Sequence, residues 1–166
     1  MRRLLFLDFD GVLNGAVCWE TKHAHTEMDK TEPDRHWALC PEMGEQLKRI
    51  ADTVPSLEIV VSSTWRLGTP IEKLRALLAP FGIAGERVIS ATPRFGGQIR
   101  GLEIADWLVK NGAFESRIVI LDDDRDMGVL WPHLIWTDFR KGLTPADADE
   151  AIKRLTAVLP VDGRPL

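Results

Sequence analysis

The chain has 166 residues, the size of one ordinary domain. With 45% hydrophobic and 28% charged residues, it can bury a proper core, which excludes wholesale disorder. Its net charge of −4 lacks the basic excess of a dedicated, tight nucleic-acid binder but leaves room for local basic patches. The apolar run at the N-terminus is interrupted by Asp8 and Asp10 and is too short for a signal peptide. No stretch is long and apolar enough to cross a membrane. The two cysteines, Cys18 and Cys40, are expected as reduced thiols of a cytoplasmic enzyme.

The first predicted element is a strand over Leu4 to Leu7, continuously apolar as expected of a parallel strand covered on both faces. A long polar stretch, 15–39, follows; loops of that length in compact domains tend to be functional. Pro41 suits a first helical position, and Met43, Leu47, Ile50 and Val54 follow at helical spacing. Leu57 to Val61 is the second buried strand. Thr69-Pro70-Ile71-Glu72 reads as a capping box opening a helix whose apolar face is Leu74, Leu77 and Leu78, and Pro80 ends it. A weaker strand lies near Arg87 to Ser90. A helix from about Leu102 to Asn111 carries Leu102, Ala105, Leu108 and Val109 on one side, with Gly112 as its C-terminal cap. Ile118 to Leu121 is the third buried strand. A short helix is expected after Asp124, ending before Pro132, then a weak strand at Leu134 to Thr137. Thr144-Pro145-Ala146-Asp147 is a second capping box, opening a helix lined by Ala148, Ala151, Ile152, Leu155 and Leu159. Strands alternating with helices predict one α/β domain: three layers around a central parallel sheet, Rossmann-like, with a minimal cap.

In such sheets, ligands bind beyond the carboxyl ends of the strands, and there the sequence turns polar. After the first strand stands Asp8-Phe9-Asp10-Gly11. Carboxylates two residues apart can point the same way and hold a hard cation such as Mg2+, although an aspartate pair before glycine is also a common turn. After the second strand comes Ser62-Ser63-Thr64-Trp65-Arg66. Small hydroxyls and backbone N–H groups can bind phosphate oxygens, and Arg66 would add a charged fork. Taken alone, a solvated strand end with a surface arginine explains these residues as well. Arg100, before the third long helix, would neutralise phosphate or steady a nucleophilic carboxylate. Asp122-Asp123-Asp124 follows the third buried strand. Consecutive acids there repel one another unless a cation is present, and capping of a helix N-terminus relieves only part of that repulsion.

The order of these signals, from an aspartate pair through a hydroxyl and a cation to an acidic pair, resembles the haloacid dehalogenase (HAD) superfamily of phosphohydrolases. The resemblance runs from Leu4 to about Asp138. It implies Asp8 as the nucleophile that forms an aspartyl phosphate, and Asp10 as general acid and base. It implies Ser62, with Ser63 as the competing assignment, as the phosphate-binding hydroxyl. Arg100 stands where the family more often has lysine. Asp122 is the implied direct Mg2+ ligand and Asp123 an indirect one, with Asp8 and the backbone carbonyl of Asp10 completing the protein's share of the metal shell. Within the superfamily the chain is similar to phosphatase domains of nucleic-acid repair, including polynucleotide 3′-phosphatases. The residues that carry this likeness are 60–66, Arg100-Gly101-Leu102-Glu103-Ile104, 121–124 and Gly142-Leu143-Thr144. The implied activity is Mg2+-dependent phosphomonoester hydrolysis, with an RNA or DNA terminal phosphate as candidate substrate. The alternatives are a small-molecule nucleotidase or sugar phosphatase and, in another class, a phosphoacceptor signalling or non-catalytic binding domain.

Two further readings concern the polar loop. Trp19 and Trp37, with Trp65, are candidates to stack on bases, and Lys22, Arg35, Arg66 and Arg94 to meet phosphates; core packing is the commoner use of tryptophan. Cys18, His23, His25, His36 and Cys40 include zinc-ligand types, but their spacing fits no standard zinc motif, and incidental histidines in a solvated loop are the simpler reading.

Overall fold

The computed structural model describes residues 1–18, 39–97 and 99–157. Five strands form one parallel sheet: β1 (Arg3–Leu7), β2 (Leu57–Val61), β3 (Val88–Ala91), β4 (Arg117–Asp122) and β5 (Leu134–Trp136), in the order β3-β2-β1-β4-β5. Between the strands lie a single turn α1 (Ala16–Cys18) and the helices α2 (Pro41–Thr53), α3 (Ile71–Leu78) and α4 (Arg100–Lys110); α5 (Pro145–Thr156) follows β5. The chain begins in the middle of the sheet and builds outward both ways, so strand order reverses beside β1. That reversal opens a crevice at the carboxyl ends of β1 and β4.

Alternation along the strands splits the core in two. Leu5, Leu7, Ile59, Val61, Val119 and Leu121 pack under α2, α3 and α5. Leu4, Phe6, Val60 and Ile120 pack under Ile104, Trp107 and Leu108 of α4. The central strands are apolar throughout because each face is covered. Register pairs Leu7 with both Val61 and Leu121, so the residues just beyond these positions are level with one another.

Most predicted elements stand where expected, with local corrections. Pro41 opens α2, and Thr144 and Asp147 form the reciprocal capping box of α5. Past α4, Ala113 donates to the Leu108 carbonyl at 2.9 Å and Gly112 to Val109 at 3.2 Å, with Gly112 at φ +57°; these are the two bonds of a Schellman cap. The capping box expected at Thr69 does not form. Pro70 is itself the residue before α3 and no side chain caps it. The buried face of α4 is Gly101, Glu103, Ile104, Trp107 and Leu108. Leu102 and Val109, expected inside, are 47% and 57% exposed. The buried stripe instead takes in Glu103 and Trp107 together with Leu108. The short helix after Asp124 is a 3-10 segment, Gly128–His133, that includes Pro132 rather than ending before it.

Cys18 and Cys40 are joined as a disulfide, with Cα atoms 6.3 Å apart. This corrects the expectation of reduced thiols. Cys18 ends α1 and Cys40 directly precedes α2, so the fold brings both buried sulfurs together. The pairing also removes both from any zinc site. The rest of that reading, on His23, His25 and His36, lies outside the described residues, as do Trp19, Trp37, Lys22, Arg35 and Leu159.

Candidate active site

The polar residues beyond β2 and β1 and at the end of β4 form a row. The backbone ladder continues one residue past the apolar strands: Ser62 donates its N–H to Leu7 at 2.9 Å, and Asp8 donates to Leu121 at 3.0 Å. Side chains alternate across a sheet. Ser62, Asp8 and Asp122 therefore share the face covered by α4, following Val60, Phe6 and Ile120. All three are buried.

Asp8 is fixed from two sides. Its Oδ1 accepts from the Phe9 N–H at 2.7 Å, and its Oδ2 is 2.6 Å from Arg100 Nη1. Arg100 Nη1 also lies 3.0 Å from Asp122 Oδ2 and donates to the Ser62 carbonyl at 3.2 Å. One guanidinium thus stitches the three strand tips together from the first residue of α4. The helix end is tied down in turn: the Arg100 N–H donates to Asp126 Oδ2 at 2.8 Å and the Gly101 N–H to the Asp126 carbonyl at 3.1 Å. A Cβ at Gly101 would collide with the Met127 backbone, so the glycine lets helix and loop approach this closely.

Asp8, Asp122 and Asp123 each bring a carboxylate oxygen to within 4.8 Å of the others. Three acids so close resist ionising together. Burial, and then the charge of Asp8, push the Asp122 carboxyl up to about 8. The same two causes raise Asp123 to about 6. Burial opposes the charge of Arg100, yet Asp8 and Asp122 outweigh it and hold its pKa above the ordinary value. Apart from the Arg100 ion pair, Asp122 Oδ2 is buried with no hydrogen-bond partner among the described residues, a setting that favours an added cation. The donor set is all oxygen and suits Mg2+. Gly11 makes room for the Asp123 side chain: its φ is +66°, and a Cβ there would overlap the Asp123 carboxylate.

Asp10 belongs to a separate arrangement. Asn14 Nδ2 donates to its Oδ1 at 2.7 Å and Trp65 Nε1 to its Oδ2 at 2.8 Å. Asn14 Oδ1 accepts the Gly11 N–H at 2.9 Å, closing the turn on itself. The Trp65 ring packs edge-on against Phe9, with centroids 5.4 Å apart. Trp65 therefore holds Asp10, where base stacking was expected of it. The turn is braced from the segment between β5 and α5: Thr137 Oγ1 donates to the Gly11 carbonyl and the Leu143 N–H to the Val12 carbonyl, each at 2.8 Å.

Arg66 also departs from expectation. It is buried, and five hydrogen bonds use its five N–H donors. They go to the carbonyls of Ser62, Ser63, Thr92 and Pro93 and to Glu103 Oε2. A buried guanidinium must satisfy each donor internally. Arg66 is therefore a strut under the loop after β2, with no fork left open for phosphate. Its partner Glu103 is fully buried and also accepts the Phe95 N–H at 2.9 Å. Arg94 Nη1 reaches the same carboxylate at 3.4 Å.

The two serines differ. Ser63 Oγ accepts from the Trp65 N–H at 3.3 Å and caps the short 3-10 segment Thr64–Arg66. Ser62 Oγ is buried with no hydrogen-bond partner among the described residues. Sequence reasoning missed Asn14, Glu103 and Thr137 as site residues. Glu103 carried a signal: an acid between Gly101 and Ile104, on what becomes the buried stripe of α4.

The open five-stranded parallel sheet with its helices gives the class: the fold is that of the haloacid dehalogenase superfamily. A family model described as the HAD domain in Swiss Army Knife RNA repair proteins matches residues 4–148, and the chain belongs to that family. No curated protein and no solved structure shows a significant match to it. Among the described residues, no helix is long and apolar enough to cross a membrane.

Proposed function

We propose that this domain is a Mg2+-dependent phosphomonoester hydrolase that works through an aspartyl phosphate and acts on a terminal phosphate of a nucleic acid. The observation that carries the reading is the surplus of negative charge around Asp8: Asp122 and Asp123 stand beside it, with Arg100 as the cation among them. An acidic cluster of this kind is stable when a dication joins it. Asp8, Asp122 and Asp123 would hold Mg2+, with Asp10 contributing its backbone carbonyl. The bound ion supplies charge neutralisation for a phosphate dianion.

The residues then divide the work. Asp8 attacks phosphorus, forming a carboxyl–phosphate bond as the ester oxygen departs. Asp10, held in place by Asn14 and Trp65, delivers a proton to that oxygen. Asp10 next takes a proton from water, which attacks phosphorus and releases Asp8 and inorganic phosphate. Arg100, 2.6 Å from Asp8 Oδ2, orients the carboxylate. The unpartnered Ser62 Oγ is the better candidate for a phosphate oxygen, because Ser63 is already engaged as a cap. Arg66 and Glu103 hold the Ser62 backbone from behind. The family's link to RNA repair favours a phosphorylated nucleic-acid end as substrate.

The test is phosphate release with Mg2+ from 3′- and 5′-phosphorylated oligonucleotides, mononucleotides and sugar phosphates, with Asp8→Asn as control. Release that depends on Mg2+ and Asp8 and favours oligonucleotide ends is expected. Equal release by the variant sinks the mechanism. Reaction of mononucleotides alone sinks the terminal-phosphate reading and leaves the mechanism standing.

A further inference from the structure

The row of strand tips continues one strand further. Register pairs Asp122 with Trp136 at the end of β5. Leu134, two residues earlier, packs on the α4 side with Ile120, and Ile135 packs on the opposite side with Leu121. Trp136 therefore rises from the same face as Ser62, Asp8 and Asp122. Strands lie about 4.8 Å apart, which places Trp136 next to Asp122 and roughly 10 Å along the row from Asp8.

Trp136 does not behave as a core residue. It is 50% exposed, at the edge of the sheet. Its only polar atom is committed, since Nε1 donates to the Asp123 carbonyl at 2.7 Å. That bond ties the ring to the acidic loop and fixes its attitude. The exposed guanidinium of Arg125 lies over the ring, 3.5 Å from its centroid. The turn that follows carries the exposed cations Arg140 and Lys141. A fixed aromatic ring, a stacked guanidinium and nearby cations beside a phosphate-handling site are the components of a platform for a nucleobase on a charged backbone. The span from Asp8 to Trp136 is one that a nucleotide covers from phosphate through sugar to base. A sugar phosphate has no planar group to place there.

We propose that Trp136, with Arg125 stacked on it, is the platform for the base of the terminal nucleotide whose phosphate meets Asp8. This rests on the phosphatase reading above and names the feature of the substrate that the site selects. The test compares two 3′-phosphorylated oligonucleotides that differ only in the terminal residue, one bearing a base and the other abasic. The readout is the ratio of their kcat/KM values. In parallel, binding of both to the Asp8→Asn protein is measured by fluorescence anisotropy.

Wild type is expected to prefer the end bearing a base. Trp136→Ala should reduce that preference on the order of 10- to 100-fold, the range one stacked base is worth. Trp136→Phe keeps a ring but cannot donate to Asp123, and should retain most of the preference. Arg125→Ala should fall between them. Phe114→Ala removes an exposed ring that precedes β4, at the other end of the sheet, and should match wild type. The proposal is overturned if wild type treats both ends alike, if Trp136→Ala slows both substrates equally, or if Trp136→Phe fails as Trp136→Ala does. Absence of Asp8-dependent hydrolysis on every substrate defeats the catalytic reading instead, and the binding ratio then decides on the platform alone.

Discussion

Two buried charged clusters flank β1, and they are built on opposite principles. Behind the end of β2, Arg66 and Glu103 face one another at 2.7 Å, both side chains almost wholly out of solvent. Their opposite charges meet directly, and every guanidinium donor has an acceptor. Between β1 and β4, Asp8, Asp122 and Asp123 share Arg100, and the carboxyls of Asp122 and Asp123 are pushed upward. The first cluster is complete without a ligand and the second is not. Full satisfaction marks architecture; a charge surplus aimed into a crevice at a topological switch point marks a place where something binds.

Breaking the proposed nucleophile should produce the largest effect. Asp8→Asn is expected to lower phosphate release by about 1000-fold or more, read as turnover at saturating Mg2+. A loss of only a few-fold would remove Asp8 from the covalent role.

The balanced cluster should answer in stability. Glu103→Ala leaves the Arg66 charge buried without its partner and should destabilise by about 3–5 kcal/mol, read from urea unfolding. Replacing both residues together, as Arg66→Met with Glu103→Leu, should recover much of that loss. The carbonyls of Thr92 and Pro93 would then need other donors, so recovery should be incomplete. A double variant no better than Glu103→Ala would show that the carbonyl clamp, rather than the charge pair, dominates.

The surplus cluster should show itself through pH. The folded-state pKa values of Asp122 and Asp123, about 8 and about 6, lie above the ordinary value of 3.8. In metal-free protein the folded state therefore holds more protons than the unfolded chain between about pH 4 and pH 8. This contribution to stability is full below pH 4 and is lost as pH rises through 6 and then 8. Melting temperature in EDTA should fall across that window for this pair, and Mg2+ should restore it with an affinity that rises with pH. Asp123→Asn should flatten the acidic half of the trend. A stability profile that Mg2+ leaves unchanged would argue against a metal at these carboxylates.

The smallest effect is expected at the support of Asp10. Trp65→Phe keeps the packing on Phe9 and deletes one hydrogen bond, for about 1 kcal/mol. Turnover should drop several-fold with KM little changed, since the bond orients the proposed proton donor and has no part in holding phosphate.

The polar residues of the candidate site were legible because they follow apolar runs. Leu4 to Leu7, Leu57 to Val61 and Ile118 to Leu121 read as buried parallel strands, so Asp8, Ser62 and Asp122 had to emerge at their ends. Arg66 and Trp65 were misread for one reason. An arginine beside serines looks like a phosphate fork, and a tryptophan near arginines looks like a stacking surface, until burial and partners are known. Glu103 supplied the acid that closed off Arg66, and it lies 37 residues away. Asp10 similarly claimed the indole of Trp65 across 55 residues. The disulfide was illegible for a related reason: nothing in a sequence separation of 22 indicates that α1 and the start of α2 lie side by side.

What the sequence determined by itself was periodic and local: which segments are strands or helices, the caps at Thr144 and Gly112, and the acids that follow the apolar runs. Those follow from side-chain alternation, helical spacing and backbone hydrogen bonding within a few residues. The tertiary structure alone decided which charges cancel. It set Arg66 against Glu103, Arg100 against Asp8, and Trp136 beside Asp122. Electrostatic and hydrogen-bond partners are chosen by proximity in space, and the order of strands in the sheet sets that proximity.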